Sequence, residues 1–181
     1  MANLLTGLRL LLVAPVAWAF ALPGSLPALL LLALIFIAIT TDYYDGIVAR
    51  KTGSASASGM LFDHSTDFIF VTSSLAGAAY AGLISPLLPA LIVVAFSQYV
   101  LDSYFLFRQK RLRMSFLGRW NGIFYFVPLV VIAVADLPGF ETIETFLLEL
   151  VAVFGFGLIA TTIASIFDRA IAPLRQPKVH E

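Results

Sequence analysis

The stretch DYYDGIVARKTGSASASGMLFDHSTD, residues 42–67, places four aspartates between two strongly apolar runs. Asp42 and Asp45 stand at i and i+3, and Asp63 and Asp67 at i and i+4, so each pair shares a helix face. Gly46 and Ala49 continue the first face, Arg50 lies one residue round from it, and Gly59 comes one turn before Asp63. Ser54 to Ser58 reads as a short small-residue linker, so the two helices are expected to pack antiparallel with their carboxylate faces opposed. Gly46, Ala49 and Gly59 are small enough to let the backbones approach closely.

The surroundings of this stretch are those of a bilayer protein. Of 181 residues, 60% are hydrophobic and 12% charged, with a mean hydropathy of +0.96. A soluble domain carries about 25% charged residues. Apolar runs of membrane-spanning length predict an all-α integral membrane protein with six transmembrane helices in one domain, residues 1–181. The spans are expected near Leu8 to Ala21, Leu26 to Thr41, Leu61 to Ala81, Pro86 to Phe107, Trp120 to Ala135 and Phe146 to Phe167. Pro23-Gly24-Ser25, Gly82 to Pro86 and Asp136-Leu137-Pro138-Gly139 break successive pairs. The first run has no basic segment leading to a small-residue cleavage site and is read as a retained helix. Pro15 and Pro128 inside spans one and five predict kinks. Trp18, Trp120, Tyr43 and Tyr44 suit interfacial belts.

Six spans put both termini on one side, and the basic residues agree. Arg9, Arg50, Lys51, Arg108, Lys110, Arg111, Arg113, Arg119, Arg169, Arg175 and Lys178 all fall there, while the other side carries only Asp136, Glu141, Glu144 and Glu149. The positive-inside rule then makes both termini and the 42–67 stretch cytoplasmic, at the ends of helices two and three. A bacterial inner membrane is the expected location. The absence of cysteine excludes disulfides and thiolate metal sites. No nucleic-acid partner is expected.

Four carboxylates this close need compensation to stay ionised. An all-oxygen set suits Mg²⁺ or Mn²⁺, and magnesium favours phosphate-bearing substrates. Two metals bridging a diphosphate would stabilise both the attacking and the leaving oxygens. A divalent-cation transporter using the same aspartates is the alternative; it predicts polar groups recurring through the membrane depth, whereas these carboxylates crowd at one interface.

The pattern Asp42-x2-Asp45-Gly46-x2-Ala49-Arg50-x8-Gly59-x3-Asp63-x3-Asp67 resembles, without gap or mismatch, the motif of the CDP-alcohol phosphotransferases. Asn3-x2-Thr6-x2-Arg9 resembles the N-terminal stretch of their phosphatidylglycerophosphate synthase branch. The resemblance implies attack of an alcohol on the β-phosphorus of a CDP-linked lipid, most simply CDP-diacylglycerol, with loss of CMP. It implies metal binding by Asp42, Asp45 and Asp63, with Asp67 also at the metal site and acting as general base. It places Gly46, Ala49, Arg50 and Gly59 in the nucleotide pocket, with Arg50 either a phosphate partner or an interfacial anchor. It also implies a homodimer among membrane lipids.

The acceptor is less sharply marked. Phe68 stands where enzymes using glycerol 3-phosphate or inositol phosphate often have a basic residue after the fourth aspartate, and Leu61-Phe62-Asp63-His64 resembles the choline and ethanolamine phosphotransferases, whose acceptor is diacylglycerol. Ser115, Gly118, Arg119 and Trp120 instead resemble a stretch of the glycerophosphate-using branch. Arg108, Arg111, Arg119 and His64 are the candidate acceptor-binding residues, with glycerol 3-phosphate as the candidate acceptor. The plain reading of the basic residues is attraction to anionic lipid; that of His64 is an interfacial polar residue. Ser97, Gln98 and Asp102 form a polar stripe that either borders the same cavity or packs helix to helix.

Overall fold

The computed structural model describes residues 2–51, 57–102 and 116–171. They form seven helices: α1 (Ala2–Ala21), α2 (Ala28–Lys51), α3 (Ala57–Tyr80), α4 (Leu87–Leu101), α5 (Phe116–Phe124), α6 (Phe126–Ala135) and α7 (Glu144–Ile171). No strand occurs among the described residues. In a bilayer every backbone N–H and C=O must be satisfied within its own segment, which helices accomplish. Side chains obey the same demand: the Thr41 hydroxyl donates back to the Ile37 carbonyl at 2.8 Å, and Thr40 does the same to Phe36.

Three segments are long and apolar enough to cross a membrane, Ala28–Asp45, Phe116–Ala135 and Glu144–Ile171; α1 and α4 contribute shorter apolar stretches. The outer surface is strongly apolar, with Leu11, Leu29, Phe36, Val153, Phe156 and Phe167 all exposed. The chain is an α-helical integral membrane protein. Its interior is one cluster in which Val16, Ile35, Phe70, Leu75, Leu88 and Leu129 are fully buried.

The principal helix contacts are α1 with α3 and α1 with α2; α2 and α3 share no comparable interface among the described residues. The expected direct packing of the two aspartate helices is therefore corrected. Helix α1 lies between them, and the reason is visible at Gly77 of α3. A methyl group there would collide with the Ala17 carbonyl oxygen and lie 3.0 Å from the Ala21 nitrogen. Only glycine lets α3 approach the α1 backbone so closely, which is the usual basis of tight helix pairs in lipid.

The two prolines behave differently. Helix α1 runs unbroken through Pro15. Pro128 lacks an N–H, and its ring crowds the carbonyl four residues back, that of Phe124, where α5 ends. The expected fifth span is thereby divided at Tyr125, whose N–H still bonds the Asn121 carbonyl at 2.9 Å.

The turns after α1, α3 and α6 are tight and contain Gly24, Gly82 and Gly139 with φ of 82°, 78° and 93°. At the end of α3 the Leu83 N–H bonds the Ala78 carbonyl (2.9 Å) and the Gly82 N–H the Ala79 carbonyl (3.0 Å), a Schellman closure that requires a left-handed residue at 82. In the last turn the Gly139 N–H donates to the Glu141 carboxylate at 3.0 Å, holding that group below the usual carboxylate range.

Candidate active site

The aspartates of α2 and α3 meet the start of α1 at one end of the bundle. Arg9, two turns into α1, is fully buried although arginine is a long cationic side chain that is almost never enclosed unless paired. Its Nη1 lies 3.3 Å from Asp42 Oδ1 and 3.2 Å from Asp63 Oδ1, and it also contacts Asp67 Oδ1; its Nη2 lies 3.5 Å from Asp45 Oδ2. One guanidinium thus reaches all four carboxylates, two on each of two helices. One turn earlier on α1, the Thr6 hydroxyl donates to Asp45 Oδ2 at 2.8 Å.

The four differ in access. Asp45 is the floor of the group, its side chain 4% exposed, whereas those of Asp42, Asp63 and Asp67 keep 42%, 24% and 25%. The cluster therefore opens to one side. Ligand atoms of Asp63, His64 and Asp67 lie within 4.8 Å of one another. The His64 ring also meets Tyr99 of α4 edge-on at 6.3 Å between centroids. The fit to a hard divalent cation is good. Carboxylate oxygens from two helices converge, and three of the four have an open side for further oxygen ligands.

Residues 1–163 match the CDP-alcohol phosphatidyltransferase family. The chain belongs to that family. In addition, 46 residues are 54% identical to the CDP-diacylglycerol–serine O-phosphatidyltransferase of Encephalitozoon cuniculi (strain GB-M1), a stretch that covers 24% of this chain and 12% of that protein. The chain thus matches only a small part of that relative's length.

Within this family member, the motif residues are placed as follows. Asp42, Asp45, Asp63 and Asp67 are brought together around Arg9. Gly46, Ala49 and Arg50 lie on the last turns of α2, and Gly59 in the first turn of α3. Arg119 is exposed on α5. Arg108 and Arg111 lie outside the described residues, as do Lys110, Arg113, Arg175, Lys178 and most of the 54–58 linker.

Sequence reasoning missed Arg9 and Thr6 as members of the cluster. The sequence marks both in the Asn3-x2-Thr6-x2-Arg9 pattern and Arg9 as a charge on the basic side of the membrane, but neither as a partner of the aspartates. The available signal was its position: an arginine on an otherwise apolar helix, three residues after a threonine on the same face, in a chain with four carboxylates to compensate.

A second polar seam joins α4 and the α5–α6 junction to α7. The Tyr125 hydroxyl lies 2.7 Å from Thr162 Oγ1, and the Thr162 hydroxyl lies 2.6 Å from the Leu158 carbonyl. The carbonyl can only accept, so Thr162 donates to it and Tyr125 donates to Thr162. Gln98 Nε2 donates to the Ile166 carbonyl at 3.2 Å, which settles the helix-to-helix reading of that residue. The Arg169 guanidinium sits 5.1 Å above the Tyr99 ring, a cation–π contact across α4 and α7.

Proposed function

We propose that this protein transfers the phosphatidyl group of CDP-diacylglycerol to a small alcohol and releases CMP, in phospholipid synthesis. The observation that carries the reading is the convergence of Asp42, Asp45, Asp63 and Asp67 at one end of the bundle in a member of this family. Six transmembrane passes, with α5 and α6 making one pass together, would put the cluster at the cytoplasmic ends of the second and third. A single domain over residues 1–181, a homodimer and a bacterial inner membrane complete the proposal.

Asp42, Asp45, Asp63 and Asp67 would hold Mg²⁺ or Mn²⁺, two ions in the full site. Such bound ions supply Lewis-acid stabilisation of charge developing on the diphosphate oxygens. Asp67 takes the proton of the acceptor hydroxyl. The acceptor oxygen bonds to the β-phosphorus, the bond from that phosphorus to the bridging oxygen breaks, and the bridging oxygen leaves with CMP. Gly46, Ala49, Arg50 and Gly59 bracket this chemistry in the chain and form the nucleotide pocket of the proposal. Arg108, Arg111, Arg119 and His64 remain the residues proposed for the acceptor.

Glycerol 3-phosphate is the acceptor favoured by the basic residues 108–119 and by the Asn3-Thr6-Arg9 pattern. Serine is the second reading, supported by the relative's name. The deciding experiment is CMP release by the purified chain in lipid with Mg²⁺ or Mn²⁺ and CDP-diacylglycerol. Glycerol 3-phosphate, serine, inositol and inositol phosphate are supplied separately, and CDP-choline with diacylglycerol is run in parallel. Metal-dependent release with one acceptor establishes reaction and branch together. Release with none, from protein that binds Mn²⁺, overturns the transferase reading.

A further inference from the structure

Arg9 is a paradox if the aspartates serve only to hold divalent cations, because it occupies their shared space. Its Nη1 faces Asp42 Oδ1, Asp63 Oδ1 and Asp67 Oδ1. Those oxygens belong to both helices of the proposed metal site, and a lone pair donated to a guanidinium is not free for a metal ion. Nor can a compact guanidinium and a divalent ion approach the same carboxylates from the same side without strong repulsion. The remaining contacts of Arg9 are equally telling. Its Nε is buried without a hydrogen-bond partner, so among the described residues the head group is held by carboxylates alone. Once those are taken by another cation, no other bond keeps it at the centre.

We propose that Arg9 is a positioning residue that acts as the site's internal counter-charge. It holds the α2 and α3 aspartates convergent, and it gives up part of them when divalent metal enters. The proposal rests on the metal-site reading of the aspartates. One guanidinium does not neutralise four carboxylates, so the group stays anionic and still attracts a divalent ion. The counter-charge keeps the carboxylates from dispersing, at the cost of weaker metal binding. The linkage is reciprocal: the factor by which Arg9's hold on the aspartates weakens metal binding is the factor by which bound metal weakens Arg9's hold.

The test compares Mn²⁺ affinity and thermal unfolding of the full chain in lipid nanodiscs, wild type against Arg9→Gln. Affinity is read by Mn²⁺ electron paramagnetic resonance, and unfolding is followed after EDTA treatment and at saturating Mn²⁺. The variant is expected to bind Mn²⁺ about tenfold more tightly, within the range of coupled sites. Its unfolding temperature should fall in EDTA and be largely restored by Mn²⁺. Unchanged or weaker Mn²⁺ binding overturns the proposal, as does a stability loss equal with and without Mn²⁺, the mark of a merely structural residue. Should Arg9→Gln not fold, Arg9→Lys carries the same comparison, since a compact ammonium cannot fork to carboxylates on two helices. Tighter Mn²⁺ binding is again expected, and unchanged binding again overturns the idea. Wild-type protein that binds no Mn²⁺ would sink the metal reading along with this one. Wild-type protein that binds Mn²⁺ and releases CMP, beside a variant of unchanged affinity, would sink this one alone.

Discussion

The Thr6 hydroxyl donates to Asp45 Oδ2 across 2.8 Å, tying α1 to α2 between residues 39 positions apart in the chain. Asp45 is the most enclosed of the four aspartates, and its other oxygen has no hydrogen-bond partner. Thr6→Val keeps the shape of the side chain and removes the donor. Asp45 Oδ2 then keeps only its longer contact to Arg9 Nη2 at 3.5 Å, and losing a hydrogen bond to a charged group costs about 1.5–3 kcal/mol. The expected outcome is a lower unfolding temperature together with weaker Mn²⁺ binding, read on the same sample; an unchanged unfolding temperature would contradict it.

Asp67→Asn should leave the cluster's shape nearly intact while removing its proton acceptor. CMP release is expected to fall by about 10²-fold or more, with metal-dependent binding of CDP-diacylglycerol retained. Equilibrium binding of a labelled donor separates the two effects. Normal turnover in this variant would refute the general-base role.

At the crossing of α1 and α3, Gly77→Leu has no room to be accommodated, because even a Cβ meets the Ala17 carbonyl. Forcing bulk into a packed contact costs about 1–3 kcal/mol. The helices that carry Arg9 and Asp63 would be pushed apart, so activity should fall with stability. Thermal unfolding and CMP release measured on one preparation check this, and equal values for variant and wild type would rule it out.

Gly82→Ala tests the turn end of the bundle. Position 82 sits at φ 78°, and an L-residue there costs about 1–2 kcal/mol. Because the turn lies at the end of α3 opposite Asp63 and Asp67, the unfolding temperature should drop while turnover at low temperature stays at the wild-type level.

Tyr125→Phe removes the outer donor of the seam between the α5–α6 junction and α7, while Thr162 keeps its own bond to Leu158. Hydrogen bonds between membrane helices average about 0.6 kcal/mol. A small stability loss with unchanged activity is expected, and a large loss would mean that the seam carries more of the fold than these contacts imply.

Much of the site was legible in the sequence because carboxylates at i, i+3 and i, i+4 spacing can face only one way on a helix. The spacing put Asp42 with Asp45 and Asp63 with Asp67, but the two pairs meet through α1 and not through the direct helix packing expected. The all-α membrane class was equally legible from hydropathy, as were the glycine turns. The partner of the aspartates was not. Positive charge near a helix end has a ready explanation in membrane topology, and that explanation absorbed Arg9. The intervening place of α1 was hidden for a related reason: the short 52–56 connection suggests that neighbours in sequence pack together, whereas Gly77 gives α3 a closer partner in α1. Pro15 and Pro128 look alike in sequence, yet only Pro128 coincides with a helix break.

Arg9 has a consequence for how the chain is made. It leaves the ribosome ahead of all four of its carboxylate partners, the last of which follows 58 residues later. At translation rates of about 5–20 residues per second, that is an interval of about 3–12 s. During that interval the arginine faces the cost of an unpaired charge at the edge of lipid. Helix α1 therefore has reason to wait at the membrane surface, or against the insertion machinery, until α3 arrives. The ion network that organises the finished site also sets the order of its assembly.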